Sequence, residues 1–316
     1  MYSYENYHKV KEEIEARRRD AVAKADLRAE LLREKSEELR AIDKELSSTG
    51  LMLFRAACGG QDITPIKERN KQLNEQRKSV ITKLGYPEDY TEVKYFCPIC
   101  SDTGYIDGAK MCSCFREGLI KATIASSGIG DLIENQSFDN FDLGWYKDDE
   151  KVYSRMCSNL ERARAYVKSF PKKGGNLLLV GTTGTGKTHI STAIAREIIP
   201  MGYDVIYDSI HNIVSDFESD KFRSGYSQQE QKSEKYLECD LLIIDDLGTE
   251  FTNQFSISCI YNLLNTRANH GKSTIISTNL SPDELSSKYE GRIYSRLVGN
   301  STVLLFEGKD RRLGFK

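Results

Sequence analysis

Apolar positions fall into two patterns that divide the chain. From about Lys9 to Leu46 mixed charge dominates, and Leu32, Leu39, Ile42 and Leu46 keep a three-to-four spacing. That spacing predicts a long solvated helix with one thin contact face. Arg28 and Lys35 fall on the same stripe and weaken it as a coiled-coil seam. Gly59-Gly60 breaks the pattern, Thr64-Pro65 offer an N-cap and first helical residue, and a second helix runs to Leu84 before Gly85-Tyr86-Pro87 stops it. The two helices would pair as an antiparallel hairpin. From Leu177 onward short apolar strands near 177–181, 204–208, 241–246, 273–278 and 302–307 alternate with helical stretches. Such alternation predicts an α/β class of βαβ units, a parallel sheet with helices on both faces and ligand at the strands' carboxyl ends.

Composition narrows the functions. With 316 residues about two domains are expected, and 29% charged against 39% hydrophobic residues is a soluble balance. No run approaches the roughly 20 apolar residues of a membrane span, and Met-Tyr-Ser-Tyr-Glu-Asn is no secretion signal, so no membrane partner and a cytoplasmic location are expected. A net charge of -2 leaves room for a basic face balanced elsewhere. Eight cysteines in an intracellular chain point to thiols or metal ligands rather than disulfides.

Gly181-Thr182-Thr183-Gly184-Thr185-Gly186-Lys187-Thr188 follow the apolar run 177–180 and open a helix, the context of a phosphate-cradling Walker A loop. Lys187 would sit on the β- and γ-phosphates and the Thr188 hydroxyl on Mg²⁺, with His189 supporting the loop. Leu241-Leu242-Ile243-Ile244-Asp245-Asp246 has the form of a Walker B strand. Asp245 would hold Mg²⁺ while Asp246 orients and deprotonates the attacking water, the two pointing to opposite sides of the strand. Asn279 ends the strand 273–278, where its amide could touch the γ-phosphate and the lytic water. Ser281-Pro282-Asp283-Glu284 starts a helix expected to reach about Leu297, with Arg292 and Arg296 on one face. These are two solvated arginines or an arginine finger for a neighbouring subunit. Arg311 and Arg312 follow the last strand and could contact bound nucleotide in cis.

Cys97-Pro98-Ile99-Cys100 and Cys112-Ser113-Cys114 flank a turn at Asp102-Thr103-Gly104-Tyr105. Four thiolates so spaced can close a structural tetrahedral Zn²⁺ site. Unligated thiols or an iron–sulfur cluster are the alternatives. Between the second strand and Walker B, Lys221, Phe222, Arg223 and Tyr226 mix positive charge with aromatic faces, a combination that grips single-stranded nucleic acid or forms an ordinary amphipathic surface helix.

In their order, Walker A, Asp245-Asp246, Asn279, Arg292-Ile-Tyr-Ser-Arg296-Leu and Gly308-Lys-Asp-Arg-Arg312-Leu resemble the AAA+ ATPases of the DnaC/DnaI helicase-loader group, with the IstB transposition helpers close by. The resemblance covers residues 136–316. It implies an AAA+ P-loop ATPase domain over 121–316, preceded by a helical partner-binding region over 1–90 and a zinc module over 91–120. It also implies Asn279 as sensor 1, Arg296 as arginine finger and Arg312 as sensor 2, with ATP, Mg²⁺ and Zn²⁺ as ligands. The expected partners are a hexameric replicative helicase held by the N-terminal region, single-stranded DNA, and further copies of the AAA+ domain. An IstB-like helper of transposition is the alternative function. A small-molecule kinase lacks its acceptor lid here, and a zinc adaptor with a vestigial ATPase fits poorly with intact nucleotide motifs. Asp246 is shorter than the glutamate of many relatives, so slow, switch-like hydrolysis is expected.

Overall fold

A computed structural model describes residues 2–59, 62–170, 175–222, 231–289 and 291–311. In chain order the elements are α1 (Tyr4–Lys35), α2 (Glu37–Cys58), α3 (Thr64–Lys83), β1 (Tyr105–Ile106), β2 (Lys110–Met111), α4 (Ser113–Ser126), α5 (Leu132–Asn135), α6 (Glu150–Ser169), β3 (Asn176–Gly181) and α7 (Lys187–Ile198). They continue with β4 (Val205–Ser209), α8 (Ile210–Lys221), α9 (Glu234–Glu238), β5 (Leu241–Leu247), α10 (Gln254–Asn269), β6 (Ser273–Thr278), α11 (Pro282–Lys288), α12 (Arg292–Gly299) and β7 (Ser301–Phe306). Two compact units divide the chain: Lys9–Arg116, and Met1–His8 with Glu117–Lys316. No helix among the described residues is long and apolar enough to cross a membrane.

In the first unit the expected single helix over Lys9–Leu46 is two. Ser36 adopts an extended conformation and its Oγ accepts the Leu39 amide at 3.1 Å, so its side chain replaces a helical bond and restarts the chain as α2. The second helix is also capped one residue earlier than expected: Thr64 is already helical, and the Asp62 carboxylate accepts from its amide at 2.9 Å. The stripe packs as its spacing implied, Leu32, Leu39 and Ile42 meeting Leu73, Val80 and Ile81. The two cations that interrupted it have partners. Arg28 donates to the Tyr90 carbonyl at 2.7 Å and Lys35 to the Tyr86 hydroxyl at 2.7 Å, each also lying over its tyrosine ring.

The second unit is built on a parallel five-stranded sheet of order β4-β5-β6-β3-β7. Its central strands β3, β5 and β6 are buried on both faces, and the two-residue period sorts each into two cores. Leu177, Leu179, Leu241, Ile243 and Ile275 pack with α6 and α7, whereas Leu178, Val180, Leu242, Ile244 and Ile276 pack with residues of α8 to α12. The chain leaves β3 leftward toward β4 and returns across it to β7, so β3 lies at the reversal of strand order, where open α/β sheets bind ligands. The helix expected from Ser281 to Leu297 is broken. Gly291, at φ +57°, separates α11 from α12. The Ser281 and Glu284 capping box forms as read.

Candidate functional site

Two sites emerge, one in each unit. In the first, Ser101 and Asp102 both take φ +52° and turn the chain sharply between the cysteine pairs. The Asp102 carboxylate, 1% exposed, accepts the amides of Phe96 at 2.8 Å and Cys97 at 3.0 Å. The Cys112 amide reaches the Gly104 carbonyl at 2.9 Å, and β1 pairs antiparallel with β2 to return the chain. These bonds bring the sulfurs of Cys97, Cys100, Cys112 and Cys114 within 4.8 Å of one another, with Sγ separations of 3.8 Å (Cys97–Cys112) and 3.5 Å (Cys100–Cys114). A tetrahedral ion with metal–sulfur bonds of about 2.3 Å spaces its ligands by about 3.8 Å. The donor set therefore fits one ion, and it is too compact for the wider cysteine spacing of a multi-iron cluster. Although burial opposes it, the Gly104 amide and the neighbouring thiols lower Cys100 to about 7.

The second site lies at the carboxyl ends of β3, β5 and β6. Gly181 ends β3 so close to β7 that a Cβ would fall 2.0 Å from the Phe306 carbonyl oxygen. Gly186, at φ +93°, caps α7 in a conformation that leaves successive amides at the positive end of the helix. Thr185 and Tyr146 brace the loop, the Thr185 hydroxyl bonding the Thr182 carbonyl at 2.7 Å and the Tyr146 phenol the Thr185 carbonyl at 3.0 Å. Lys187, 6% exposed, donates to the carbonyls of Gly181 (2.6 Å) and Thr182 (2.8 Å) and to Asn279 Oδ1 (2.8 Å). The Asn279 amide nitrogen donates in turn to Asp246 Oδ1 at 3.1 Å. Lysine, asparagine and aspartate from three strand ends thus form one hydrogen-bonded line.

The acidic pair departs from simple strand alternation. A register shift in β5 and φ +55° at Asp246 form a bulge, which turns Asp246 outward rather than merely to the other face. Asp245 stays partly buried, accepting hydrogen bonds from Tyr207 of β4 and Ser277 of β6. Burial, and then the Asp245 carboxylate, push the Tyr207 phenol well above its ordinary value. Sequence reasoning did not find Tyr207 or Ser277. Their only signal is a polar atom within a strand, and the strand order that sets them beside Asp245 is not written locally.

A cavity of about 390 Å³ opens between the loop residues 183–189, Asp246, Asn279, Gln136 and Arg311. His189 Nε2 lies 2.8 Å from the Ser137 carbonyl and 3.0 Å from Asn140 Oδ1, and burial depresses its pKa. The ring is the donor to both oxygens. Arg311 sits over the rings of Phe141, Trp145 and Tyr146, while its amide donates to the Gly184 carbonyl at 3.2 Å. Arg312, the expected sensor 2, lies outside the described residues, as do Arg223 and Tyr226. Lys221 is 4.7 Å from the Phe255 ring centroid, and Phe222 is exposed. Arg296 bonds Asn265 Oδ1 through Nη2 at 2.5 Å and stands 4.9 Å from the Tyr261 ring, both on α10, while Arg292 is exposed.

A phosphate-cradling loop after the strand of this sheet that comes first along the chain, facing paired carboxylates and a strand-end asparagine, defines a P-loop nucleotide-binding protein of the AAA+ type. Residues 131–313, more than half of the chain, match the model of the IstB-like ATP binding protein, and the chain belongs to that family. It is 28% identical over 188 residues to the "Replicative helicase loader DnaC" of Escherichia coli, covering 59% of this chain and 73% of that protein. The protein of the same name from Buchnera aphidicola is 25% identical over 189 residues, covering 60% and 74%. Among solved structures, "Crystal structure of the DnaC helicase loader" matches with a TM-score of 0.48 and 23% identity, covering 55% of this chain and 98% of that one.

Proposed function

We propose that this chain is a helicase-loading ATPase that places a replicative DNA helicase on single-stranded DNA, with ATP binding and hydrolysis as the switch. The observation that carries the reading is the alignment of 188 residues, 59% of the chain, with a protein named as a replicative helicase loader, and of 189 residues with a second of the same name. In this reading the glycine-rich loop binds the triphosphate through its amides and Lys187. Thr188 and Asp245 would hold Mg²⁺, which offsets charge on the phosphate oxygens. Asp246 takes a proton from the attacking water as its oxygen bonds the γ-phosphorus and ADP leaves. Asn279, bonded to both Lys187 and Asp246, senses whether that phosphoryl group is in place. Arg296 and Arg312 would serve a neighbouring subunit and the bound nucleotide respectively. The region over 1–90 and the module over 91–120, its cysteines on Zn²⁺, would hold the helicase, and Lys221 and Phe222 would meet the DNA.

The outward turn of the short Asp246 side chain supports slow turnover, in keeping with a switch. The second reading, an IstB-like helper of transposition, is favoured by the family match itself. One reconstitution separates them. Full-length chain, the replicative helicase of the same cell and primed single-stranded DNA should give ATP-dependent transfer of helicase to DNA. Lys187→Ala should lower that transfer at least tenfold, and single-turnover hydrolysis should be slow. Failure to retain the helicase, with retention of a transposase instead, would replace the first reading by the second.

A further inference from the structure

Gln136 lines the nucleotide cavity beside His189. Its Oε1 is buried yet has no hydrogen-bond partner among the described residues. A buried amide oxygen without a donor costs free energy unless a ligand supplies one. The segment that carries it is fixed at both ends to α7, which follows the P-loop. Arg196 donates to the carbonyls of Ile133 and Glu134 at 3.0 and 3.2 Å, and His189 binds Ser137 and Asn140 on the other side of Gln136. Within the segment the Gln136 amide donates to the Leu132 carbonyl at 2.9 Å, and Asn140 Nδ2 donates to the Asn135 carbonyl at 2.8 Å. The backbone that carries the free oxygen is thus held in place before anything binds.

Direction along the loop identifies what it meets. With Lys187, Asn279 and Asp246 joined by hydrogen bonds, a triphosphate runs its terminal group to them and its nucleoside toward His189 and Gln136, which line the same cavity. Resting on the P-loop reading above, we infer that Gln136 is the base-selecting residue, its Oε1 accepting the exocyclic amine of adenine. Glutamine is suited to adenine because the base sets a donor beside an acceptor. Guanine and hypoxanthine carry a carbonyl oxygen where adenine carries its amine, so they set two acceptors against each other.

The test is equilibrium binding of ATP and ITP, whose bases differ at that group and in the proton on N1, to the full chain and its variants by displacement of a fluorescent ADP. Wild type should prefer ATP by about tenfold, the weight of one hydrogen bond left unmade. Gln136→Ala should bring that ratio close to one, while Gln136→Glu, which keeps an acceptor, should retain it whatever its overall affinity. An unchanged ratio in a folded Gln136→Ala protein overturns the assignment. Loss of all nucleotide binding by wild type would instead overturn the P-loop reading, so the two failures are distinct.

Discussion

In the cysteine module the prospective ligands are also the core: among the described residues, Cys97, Cys100 and Cys112 form the buried cluster, with partly buried Ile106 and Cys114 packed against it. The P-loop rests on two apolar layers that close around the sheet without any of its catalytic candidates. A segment of about twenty residues cannot bury enough apolar surface to order itself, so its fold would depend on an ion held by the four sulfurs. The sheet orders itself first and then presents Lys187, Asp245 and Asn279 at strand ends, where exchange of a side chain changes chemistry rather than architecture. Ligand removal therefore tests folding in one region and function in the other.

The largest expected effect is on the module. Structural zinc contributes on the order of 10 kcal/mol to the folding of such sites, so Cys112→Ser, or a strong chelator, should release the metal and raise proteolytic cleavage over 95–115 at least tenfold. Nucleotide affinity should change less than twofold. A metal-free wild-type protein as resistant as the metallated one would abolish the contrast. In the sheet unit, the most damaging change should lie away from the nucleotide. Arg267 is fully buried and donates to the carbonyls of Tyr236 (2.7 Å), Cys239 (3.1 Å) and Ser273 (2.5 Å) and to the Thr274 hydroxyl (3.0 Å). Arg267→Met leaves these acceptors buried without a donor and should cost about 3 kcal/mol in urea unfolding. A loss under about 1 kcal/mol would show that the acceptors find other partners.

What the chain discloses before folding follows the same contrast. The P-loop and the cysteine pairs were legible because each is a local device, in which consecutive amides cradle phosphate and thiols two or three residues apart meet one ion. The apolar alternation disclosed the α/β layers because a strand buried on both faces needs apolar residues at every position. Tyr207 and Ser277 were hidden because their contact with Asp245 exists only once β5 lies between β4 and β6. The break at Ser36 was hidden because a serine's choice between capping and continuing a helix is decided by what packs on either side. Arg28 and Lys35 looked like faults in a stripe and are instead bonded to Tyr90 and Tyr86.

The smallest effect concerns how the sheet unit spreads its stability over many modest terms. Asp204, just before β4, has its carboxyl raised to about 6, first by burial and then by the Asp240 carboxylate, with Lys272 partly opposing the shift. The ordinary carboxyl value is 3.8, so between about pH 4 and pH 6 the folded state binds a proton that the unfolded state has released. Stability contributed by that proton is complete at the acidic end of the window and is lost as pH rises through it. Asp204→Asn removes the titration. The variant should match wild type near pH 4 and exceed it by about 1 kcal/mol at pH 7, after allowance for screening at a partly exposed site. Urea midpoints at the two pH values measure this directly. An equal difference at both would mean that Asp204 acts through packing instead of charge. A midpoint unchanged at pH 7 would mean that Lys272 already neutralises the pair. Either way the shift is expected to be small beside the effect of removing an ion from the four sulfurs, because no single group in the layered sheet holds the position those sulfurs share in the cysteine module.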